Sequence, residues 1–291
     1  MDILRTVDDC RRWRLRTRRD VGFVPTMGYL HDGHLSLVRA SRARDAVTAA
    51  SIFVNPTQFG PNEDFARYPR DEDRDLALLS DAGVAAVFIP SVDEMYPGGF
   101  ATYVHVERLT ERLEGASRPA HFRGVTTIVL KLLNIIQPHR AYFGQKDAQQ
   151  LAVVRRMVCD LDVPVEIVAC PIVRDPDGLA MSSRNVYLSP EERRAALVLS
   201  RALRLAEQRY ADGERDAAVI RAAVEREIAA EALARLDYVS VAHPDTLEEL
   251  DSVDGVALVA VAARFGTTRL IDNTLLGASA PAALDQRSPT S

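Results

Sequence analysis

The stretch VGFVPTMGYLHDGHLSLV, residues 21–38, decides how the rest of the chain folds. Its first residues, Val21 to Val24, form a short apolar run with the length and branching of a buried β-strand. Pro25, Gly28 and Gly33 then predict a turn. The apolar residues that follow His34 suit a helix packed on a sheet. The segment therefore predicts a strand, a glycine-containing loop and a helix in direct succession.

Two histidines, His31 and His34, stand where the predicted helix begins. A helix N-terminus exposes unpaired N–H groups and a partial positive charge, which makes it a natural phosphate site. Imidazoles add hydrogen bonds there, and a proton where their pKa allows. Two other interpretations stay open: surface or capping histidines, and the less favoured zinc ligands, for which no third His or Cys lies at a suitable spacing.

The loop lacks the two familiar glycine signatures of nucleotide binding. It contains neither GxGxxG nor GxxxxGK[ST], so it is neither a dinucleotide fingerprint nor a P-loop. It is similar to the HxGH element of the nucleotidylyltransferase superfamily, in which two histidines meet the phosphates of ATP. We therefore expect this loop to bind phosphate.

Length and composition predict an ordinary globular protein of two domains. The chain has 291 residues, of which 47% are hydrophobic and 26% charged, and domains average roughly 150 residues. The net charge of −5 argues against a broad nucleic-acid-binding surface, so an anionic substrate needs a local basic site. The arginines between Arg11 and Arg19 are best interpreted as a solvated helical face.

Cysteine usage and hydropathy predict a cytoplasmic protein. Cys10, Cys159 and Cys170 form no CxxC pair, which fits reduced thiols rather than a disulfide framework. No apolar run approaches the ~20 residues that a membrane span needs. Residues 1–20 are basic but lack the apolar core of a signal peptide. No membrane partner is expected.

Strands and helices alternate through residues 21–169, which predicts a parallel, doubly wound α/β sheet of the Rossmann-like class. The predicted strands are 21–24, 47–55, 85–89, 140–144 and 165–169, with a short further strand at 102–106. The predicted helices are 34–45, 71–82, 125–136 and 148–161. Ligands of such sheets bind beyond the carboxyl ends of the strands. His31, Gln58, Lys146 and Gln150 all follow strand ends, so we expect them to share one site.

The pattern of predicted helices and strands changes after Pro171, which predicts a second, smaller α+β domain. Ser189 and Pro190 form a good helix start, and helices are predicted to about Tyr210 and over 216–231. Strands are predicted at 237–242, 256–263 and 269–272. The expected division is therefore a domain at 1–172, a lid domain at 173–277 and a disordered tail at 278–291.

Five segments together resemble the pantothenate synthetase family. They are PTMGYLHDGHLSLV (25–38), SIFVNPTQFGPNEDFARYPR (51–70), HFRGVTTIVLKLLNIIQP (121–138), FGQKDAQQL (143–151) and MSSRNVYLSPEER (181–193). The segments occur in the family's order and cover most of residues 20–193. The C-terminal third resembles the family mainly in its layout of helices followed by strands.

The resemblance implies a cytoplasmic, homodimeric ligase that uses ATP and Mg²⁺. ATP and pantoate would give pantoyl adenylate and pyrophosphate, and β-alanine would then displace AMP to form pantothenate for coenzyme A synthesis. The smaller domain would cover the active site. An alternative is another HxGH-type nucleotidylyltransferase, and a third possibility is a nucleotide-binding module without turnover.

The resemblance also implies the ATP-binding residues. They are Met27, Gly28, Tyr29, Leu30, His31, Asp32, Gly33 and His34; Gly144, Gln145, Lys146 and Asp147; Val173; and Met181, Ser182, Ser183 and Arg184. Of these, His31, His34, Lys146, Ser182, Ser183 and Arg184 are the predicted catalytic residues. His34 carries the family's proton-donor role. We favour a hydrogen bond from it to the reacting phosphate, because a carboxylate nucleophile has no proton to lose.

Several further positions match functional residues of the family, and for some of them a structural interpretation stays open. Lys146 would meet phosphate, whereas Asp147 would bind the ribose hydroxyls or cap the next helix. Gln58 and Gln150 match the residues that hold pantoate and β-alanine, and a neutral amide binds a hydroxyl or carboxylate without adding charge. Arg118, His121 and Arg123 lie near the mouth of the site in the family, where a structural role is equally open. No residue is identified as a protein ligand of the metal.

Overall fold

The large sheet of the computed structural model has six parallel strands, as the sequence predicts for a Rossmann-like α/β fold. The structure describes residues 1–61 and 63–278. The strands are β1 (Asp2–Leu4), β2 (Val21–Thr26), β3 (Val47–Ile52), β4 (Ala86–Phe88), β5 (Arg140–Gly144) and β6 (Glu166–Cys170), in the spatial order β1-β4-β3-β2-β5-β6. The edge strand β1 was not predicted, because its three residues are too few to show a periodic hydrophobic pattern.

Seven helices of the described chain belong to this half. They are α1 (Val7–Arg16), α2 (Asp32–Arg44), α3 (Glu72–Asp81), α4 (Val92–Met95), α5 (Glu114–Ser117), α6 (His121–Ile136) and α7 (Ala148–Asp160). The strand order reverses between β2 and β5, which pair in parallel through Gly22↔Arg140 and Phe23↔Ala141. A reversal of this kind leaves a crevice beyond the carboxyl ends of the two strands.

Helix α6 packs unusually close to the loop after β3. It begins at His121, four residues before the predicted start, and most of its side chains are buried. A Cβ at Gly124 would lie 2.4 Å from the carbonyl oxygen of Thr57, so only glycine fits this approach. The Asn55 amide donates to the Gly124 carbonyl at 3.1 Å. The contact fixes the loop that carries Gln58.

The predicted strand at 102–106 is wrong, because this segment is extended but joins neither described sheet. The N–H of Val104 donates to the Thr127 hydroxyl at 2.9 Å, and its carbonyl accepts from the Thr126 hydroxyl at 2.7 Å. Side chains of α6 therefore take the place of a neighbouring strand, which an alternating sequence pattern cannot reveal.

The C-terminal half contains a three-stranded antiparallel sheet and two helices, as predicted. Its strands β7 (Ala234–Ala242), β8 (Ala257–Phe265) and β9 (Thr268–Leu276) lie in sequence order beside α8 (Pro190–Ala211) and α9 (Ala217–Ala229). Ser189 starts α8 with a capping box. The predicted division at residue 173 stays a prediction. Of the predicted tail, residues 279–291 lie outside the described residues.

Two further features concern the whole described chain. Over residues 1–61 and 63–278, no helix is long and apolar enough to cross a membrane. Cys10, Cys159 and Cys170 are free thiols, of which Cys10 and Cys170 are buried.

Candidate active site

The loop between β2 and α2 is held by a buried carboxylate from α3. Asp75 accepts the backbone N–H groups of Tyr29 and Leu30 at 2.6 and 2.8 Å, and its side chain is 1% exposed. Arg74 donates to the Leu30 carbonyl at 2.9 Å. Asp75 is not predictable from the sequence, because it lies in the acidic run DEDRD and no local pattern indicates its partners.

Both histidines cap the N-terminus of α2. The capping interpretation is therefore confirmed, and it is compatible with a position in the site. The Nδ1 atom of His31 accepts the Gly33 N–H at 3.1 Å, and the Nδ1 atom of His34 accepts the His31 N–H at 3.3 Å. A Cβ at Gly33 would lie 2.8 Å from the His31 ring. Because an accepting nitrogen holds no proton, each neutral ring carries its proton on Nε2.

Burial keeps both imidazoles neutral near pH 7. It lowers the pKa of His34 to about 3, with further contributions from His31 and Lys146. Burial and the Lys146 charge lower the pKa of His31 to about 4. The two rings, whose centroids are 4.1 Å apart, are therefore hydrogen-bond donors through Nε2 rather than cations.

The 3₁₀ turn Gln145–Asp147 brings a cation to the histidines, because β5 lies next to β2. The Lys146 ammonium is 3.6 Å from the Asp147 carboxylate, and the exposed fractions of these side chains are 20% and 47%. Asp147 stands at the N-cap of α7, yet its side chain makes no capping hydrogen bond. The capping alternative for this carboxylate is therefore not realised.

The segment Met181–Arg184 lies across the cavity from the histidine loop and touches that loop directly. The Ser183 hydroxyl donates to the Tyr29 carbonyl at 3.3 Å, whereas the Ser182 hydroxyl accepts the Arg184 N–H at the same distance. The Arg184 guanidinium makes two hydrogen bonds to Asp64, of 2.8 and 2.9 Å.

These segments enclose two adjoining cavities. The inner cavity has a volume of about 240 Å³, and the outer cavity, of about 540 Å³, reaches towards β9. Arg118, His121, Lys146, Asp147, Gln150, Ser182 and Arg184 line both of them. The site is therefore one cleft that both halves of the chain build.

Most of the predicted site residues line the inner cavity. They are Met27, His31, Gly33, His34, Gln58, Gly144, Lys146, Asp147, Gln150, Val173, Met181, Ser182, Ser183 and Arg184. Gly28, Tyr29, Leu30, Asp32 and Gln145 line neither the inner nor the outer cavity. Leu30 belongs to the core, at 1% exposure, and the Gln145 amide turns to Asn273 instead. For these five residues, as for those that line the inner cavity, ATP contacts stay predictions.

The two glutamines on the wall differ from their neighbour Gln149. Gln58 is 8% exposed and is oriented by the Asn55 amide, which donates to its Oε1 at 3.1 Å. Gln150 lines both cavities. Gln149 lines only the outer cavity, and its side-chain amide is bonded to the backbone of Leu109 and Glu114.

Of the three residues left open near the mouth, two reach the site. Arg118 binds Glu63 through two hydrogen bonds of 2.6 Å, and the Nδ1 atom of His121 lies 2.9 Å from the Gln58 carbonyl. Burial, with the Arg118 charge, lowers the pKa of His121 to about 4. Arg123 lies over the Tyr103 ring at 3.7 Å and lines neither cavity.

The cavity is lined by hydrogen-bond donors and cations of the kind that bind phosphate groups. The described residues contain no group of three or more His, Cys, Asp or Glu that could hold a metal ion. Neutral donors, one lysine and a serine–arginine loop at the switch point of a parallel sheet define an α/β nucleotide-dependent enzyme of the HxGH class.

The sequence profile described as pantoate-beta-alanine ligase matches residues 2–275. This chain belongs to that family.

Relatives agree over nearly the whole chain. A protein of Chloroflexus aurantiacus named pantothenate synthetase is 64% identical over 279 residues, which are 95% of this chain and 98% of that protein. The crystal structure of pantothenate synthetase from Thermus thermophilus is 53% identical, with a TM-score of 0.91 over 94% of this chain and 99% of that one. These findings confirm the predicted family, fold class and ligase activity.

A third relative was crystallised with ligands. The pantoate-beta-alanine ligase from Francisella tularensis, complexed with beta-gamma ATP and β-alanine, is 33% identical to this chain. Its TM-score is 0.77, and the match covers 94% of this chain and 97% of that one.

The lowered histidine pKa values predict a loss of stability in acid. Because the folded-state pKa values of His31, His34 and His121 lie below the usual 6.5, the unfolded chain binds more protons below that pH. The contribution of these three neutral histidines to the free energy of unfolding is fully present above pH 6.5 and is lost as the pH falls towards 4. We expect His34→Asn, which keeps an acceptor for the His31 N–H, to remove about 1.4 kcal/mol per pH unit of this dependence.

Urea unfolding at pH 7, 6, 5 and 4.5 measures this effect. His243→Asn is the matched control, because His243 is an exposed histidine whose Nδ1 likewise accepts backbone N–H groups. Parallel pH profiles for wild type and His34→Asn would show that His34 is not a buried neutral imidazole.

Proposed function

We propose that this chain condenses pantoate with β-alanine through a pantoyl adenylate intermediate, releasing AMP and pyrophosphate. The observation that carries the proposal is the convergence of two neutral imidazoles, one lysine and the Met181–Arg184 loop on one cavity. The printed name of the family and the ATP and β-alanine complex of the Francisella tularensis relative support it.

In the first step, a pantoate carboxylate oxygen attacks the α-phosphorus, and the bond to the β-phosphate oxygen breaks. This chemistry needs positioning and charge compensation rather than a protein nucleophile. The Nε2–H groups of His31 and His34 would donate to phosphate oxygens, and Lys146 would bind the charge that develops on the leaving pyrophosphate. Such donors are effective because they are fixed before the reaction begins.

Ser182, Ser183 and Arg184 would hold the far end of the triphosphate. The Arg184 guanidinium already makes a two-point contact with an anion, the Asp64 carboxylate, and phosphate has the same geometric requirement. A bound phosphate would therefore share or replace this carboxylate.

Pantoate and the nucleoside would occupy opposite ends of the inner cavity. Val125, Ile128, Val129 and Leu132 line one wall next to Gln58 and Gln150. This combination suits the dimethyl group of pantoate beside its hydroxyl and carboxylate groups. At the other end lie Gly33, Val173 and Met181, where adenine would stack against backbone. The Asp147 carboxylate, which makes no capping hydrogen bond to α7, would bind the ribose hydroxyls.

We also propose Mg²⁺ as a companion of the nucleotide. No all-protein cage occurs among the described residues, and Mg²⁺ commonly takes most of its ligands from phosphate and water. When bound, Mg²⁺ supplies charge neutralisation of the phosphate oxygens.

In the second step, the β-alanine amine attacks the acyl carbon and AMP leaves with the oxygen that pantoate supplied. The amine must be neutral, although its ordinary pKa is near ~10. The outer cavity gives it a route to the adenylate. We propose residues 173–277 as the lid domain, whose closure would protect the adenylate from water.

The alternative is another HxGH-type nucleotidylyltransferase, which would release a nucleotide-linked product and ignore β-alanine. A nucleotide-binding module would bind ATP without turnover. Both share the phosphate donors, but neither explains the apolar wall beside the two glutamines.

Assembly and location are also proposed. We infer a homodimer and a cytoplasmic enzyme from the resemblance, and the free thiols fit a reduced compartment. Sedimentation velocity tests the assembly, and a single species of monomer mass at micromolar concentration would contradict the dimer.

A pantoyl adenylate intermediate would transfer one carboxylate oxygen of pantoate to AMP. With pantoate labelled with ¹⁸O in its carboxylate, we expect one labelled oxygen in AMP and none in pyrophosphate, because the carboxylate oxygen stays on the α-phosphate. Mass spectrometry of the products measures this. AMP that requires ATP, pantoate and β-alanine together but carries no label would reject the adenylate. A nucleotide-linked product that is released over many turnovers without β-alanine would favour the alternative transferase.

Removal of a phosphate donor should lower the rate of adenylate formation. We expect Lys146→Ala or His34→Ala to reduce the pyrophosphate burst rate at least ~100-fold while the protein stays folded by circular dichroism. Lys131→Ala is the matched control, because Lys131 is the only other lysine of the chain and lies over the Phe100 ring. A burst close to that of wild type would remove the altered residue from the mechanism.

A further inference from the structure

The turn that carries Lys146 is held by a residue from the other half of the chain. The Asn273 side-chain amide, on β9, donates to the backbone carbonyls of Gln145 and Lys146 at 3.0 and 2.9 Å. Asn273 is only 3% exposed, and its Oδ1 accepts from the Gln145 amide at 3.4 Å. One buried side chain therefore contacts the backbone carbonyl that precedes the lysine, the carbonyl of the lysine itself and the Gln145 side-chain amide.

The two hydrogen bonds fix the orientation of the amide. A rotated Asn273 would point Oδ1, which has no proton, at two carbonyl oxygens. Both amide hydrogens are used, so the contact resists exchange with water in a buried site. Movement of β9 away from the turn would break both bonds at once. The position of the Lys146 backbone is therefore coupled to the position of the small sheet.

The preceding residue on β9 braces the second phosphate loop. Asp272 binds the Arg174 guanidinium at 2.6 and 3.0 Å, and Arg174 forms an antiparallel bridge with Ala180, which leads directly into Met181. Asp272 also accepts the N–H of Asn273 at 2.8 Å. Two consecutive residues of one strand thus contact the Lys146 turn and the Arg174 side chain, whose backbone bridge leads into the Met181–Arg184 loop.

We propose that Asn273 is a positioning residue for Lys146 in adenylate formation. It holds the Lys146 backbone so that the ammonium points into the inner cavity when the small sheet lies against the large one. This inference rests on the proposed function, because Lys146 must act on a phosphate group. Asn273 itself lines only the outer cavity and does not line the wall beside the histidines.

The test measures the pyrophosphate burst with ATP and pantoate in Asn273→Ala, Lys146→Ala and the double variant. We expect Asn273→Ala to slow the burst about 10- to 100-fold, since misplacement of a catalytic group by ~1 Å costs up to 10²-fold. In the Lys146→Ala background the same change should alter the residual rate less than about 3-fold, because the group it positions is absent. Equal losses in both backgrounds would overturn the proposal.

Two further variants separate positioning from folding. Asn273→Ser keeps one donor and should give an intermediate burst rate, which keeps the test valid if the alanine variant does not fold. Thr274→Val is the matched control: the next residue of β9 bonds Glu207 on α8, so its burst rate should stay within about 3-fold of wild type. A melting temperature that falls in Asn273→Ser with no change in burst rate would show a structural role only.

Failure of the inference and failure of the proposed function give different results. Absence of a burst in the wild type would reject adenylate formation itself. A wild-type burst that Asn273→Ala and Asn273→Ser both leave unchanged would reject only the positioning role.

Discussion

The pairing of β2 with β5 is the constraint on which the site depends. Residues Phe23 and Ala141, more than a hundred positions apart in sequence, are partners in the parallel ladder, and this places the histidine loop beside the Lys146 turn. A buried carboxylate secures the arrangement from the opposite end of α2. Asp45 accepts from the Tyr142 hydroxyl at 2.5 Å and from Arg140 at 2.8 Å. The same helix thus presents its histidine-capped N-terminus to the cleft and anchors its other end to β5.

The electrostatics of the cleft follow from this packing. Burial removes the charge of the two histidines, so the charge available for a triphosphate comes from Lys146 and the arginines. The arginines already face carboxylates, Asp64 for Arg184 and Glu63 for Arg118. Because unpaired buried charges are costly, these acidic partners make the cationic wall compatible with a stable ligand-free protein.

Local patterns predicted the strand–loop–helix order, the two halves and the shared edge of His31, Gln58, Lys146 and Gln150, because those features depend on short-range periodicity and on the carboxyl-edge rule for parallel sheets. The other residues of the cavity lining were predicted from the family resemblance. The catalytic and binding roles of the site residues were predicted from the family resemblance. Residues such as Asp75, Asn55 and Asn273 could not be predicted, since each acts on backbone groups that lie far away in sequence. The wrong strand at 102–106 has the same origin: its hydrogen-bond partners are threonine side chains of α6, which no pattern within the segment encodes.

We propose that both halves of the chain build one phosphate site. A crystal structure of the protein soaked with ATP and pantoate tests this most directly. We predict pantoyl adenylate in the inner cavity, with phosphate oxygens within hydrogen-bond distance of His34 Nε2 and Lys146 Nζ. Nucleotide density outside the cleft, or phosphates that contact only one of the two facing loops, would contradict it.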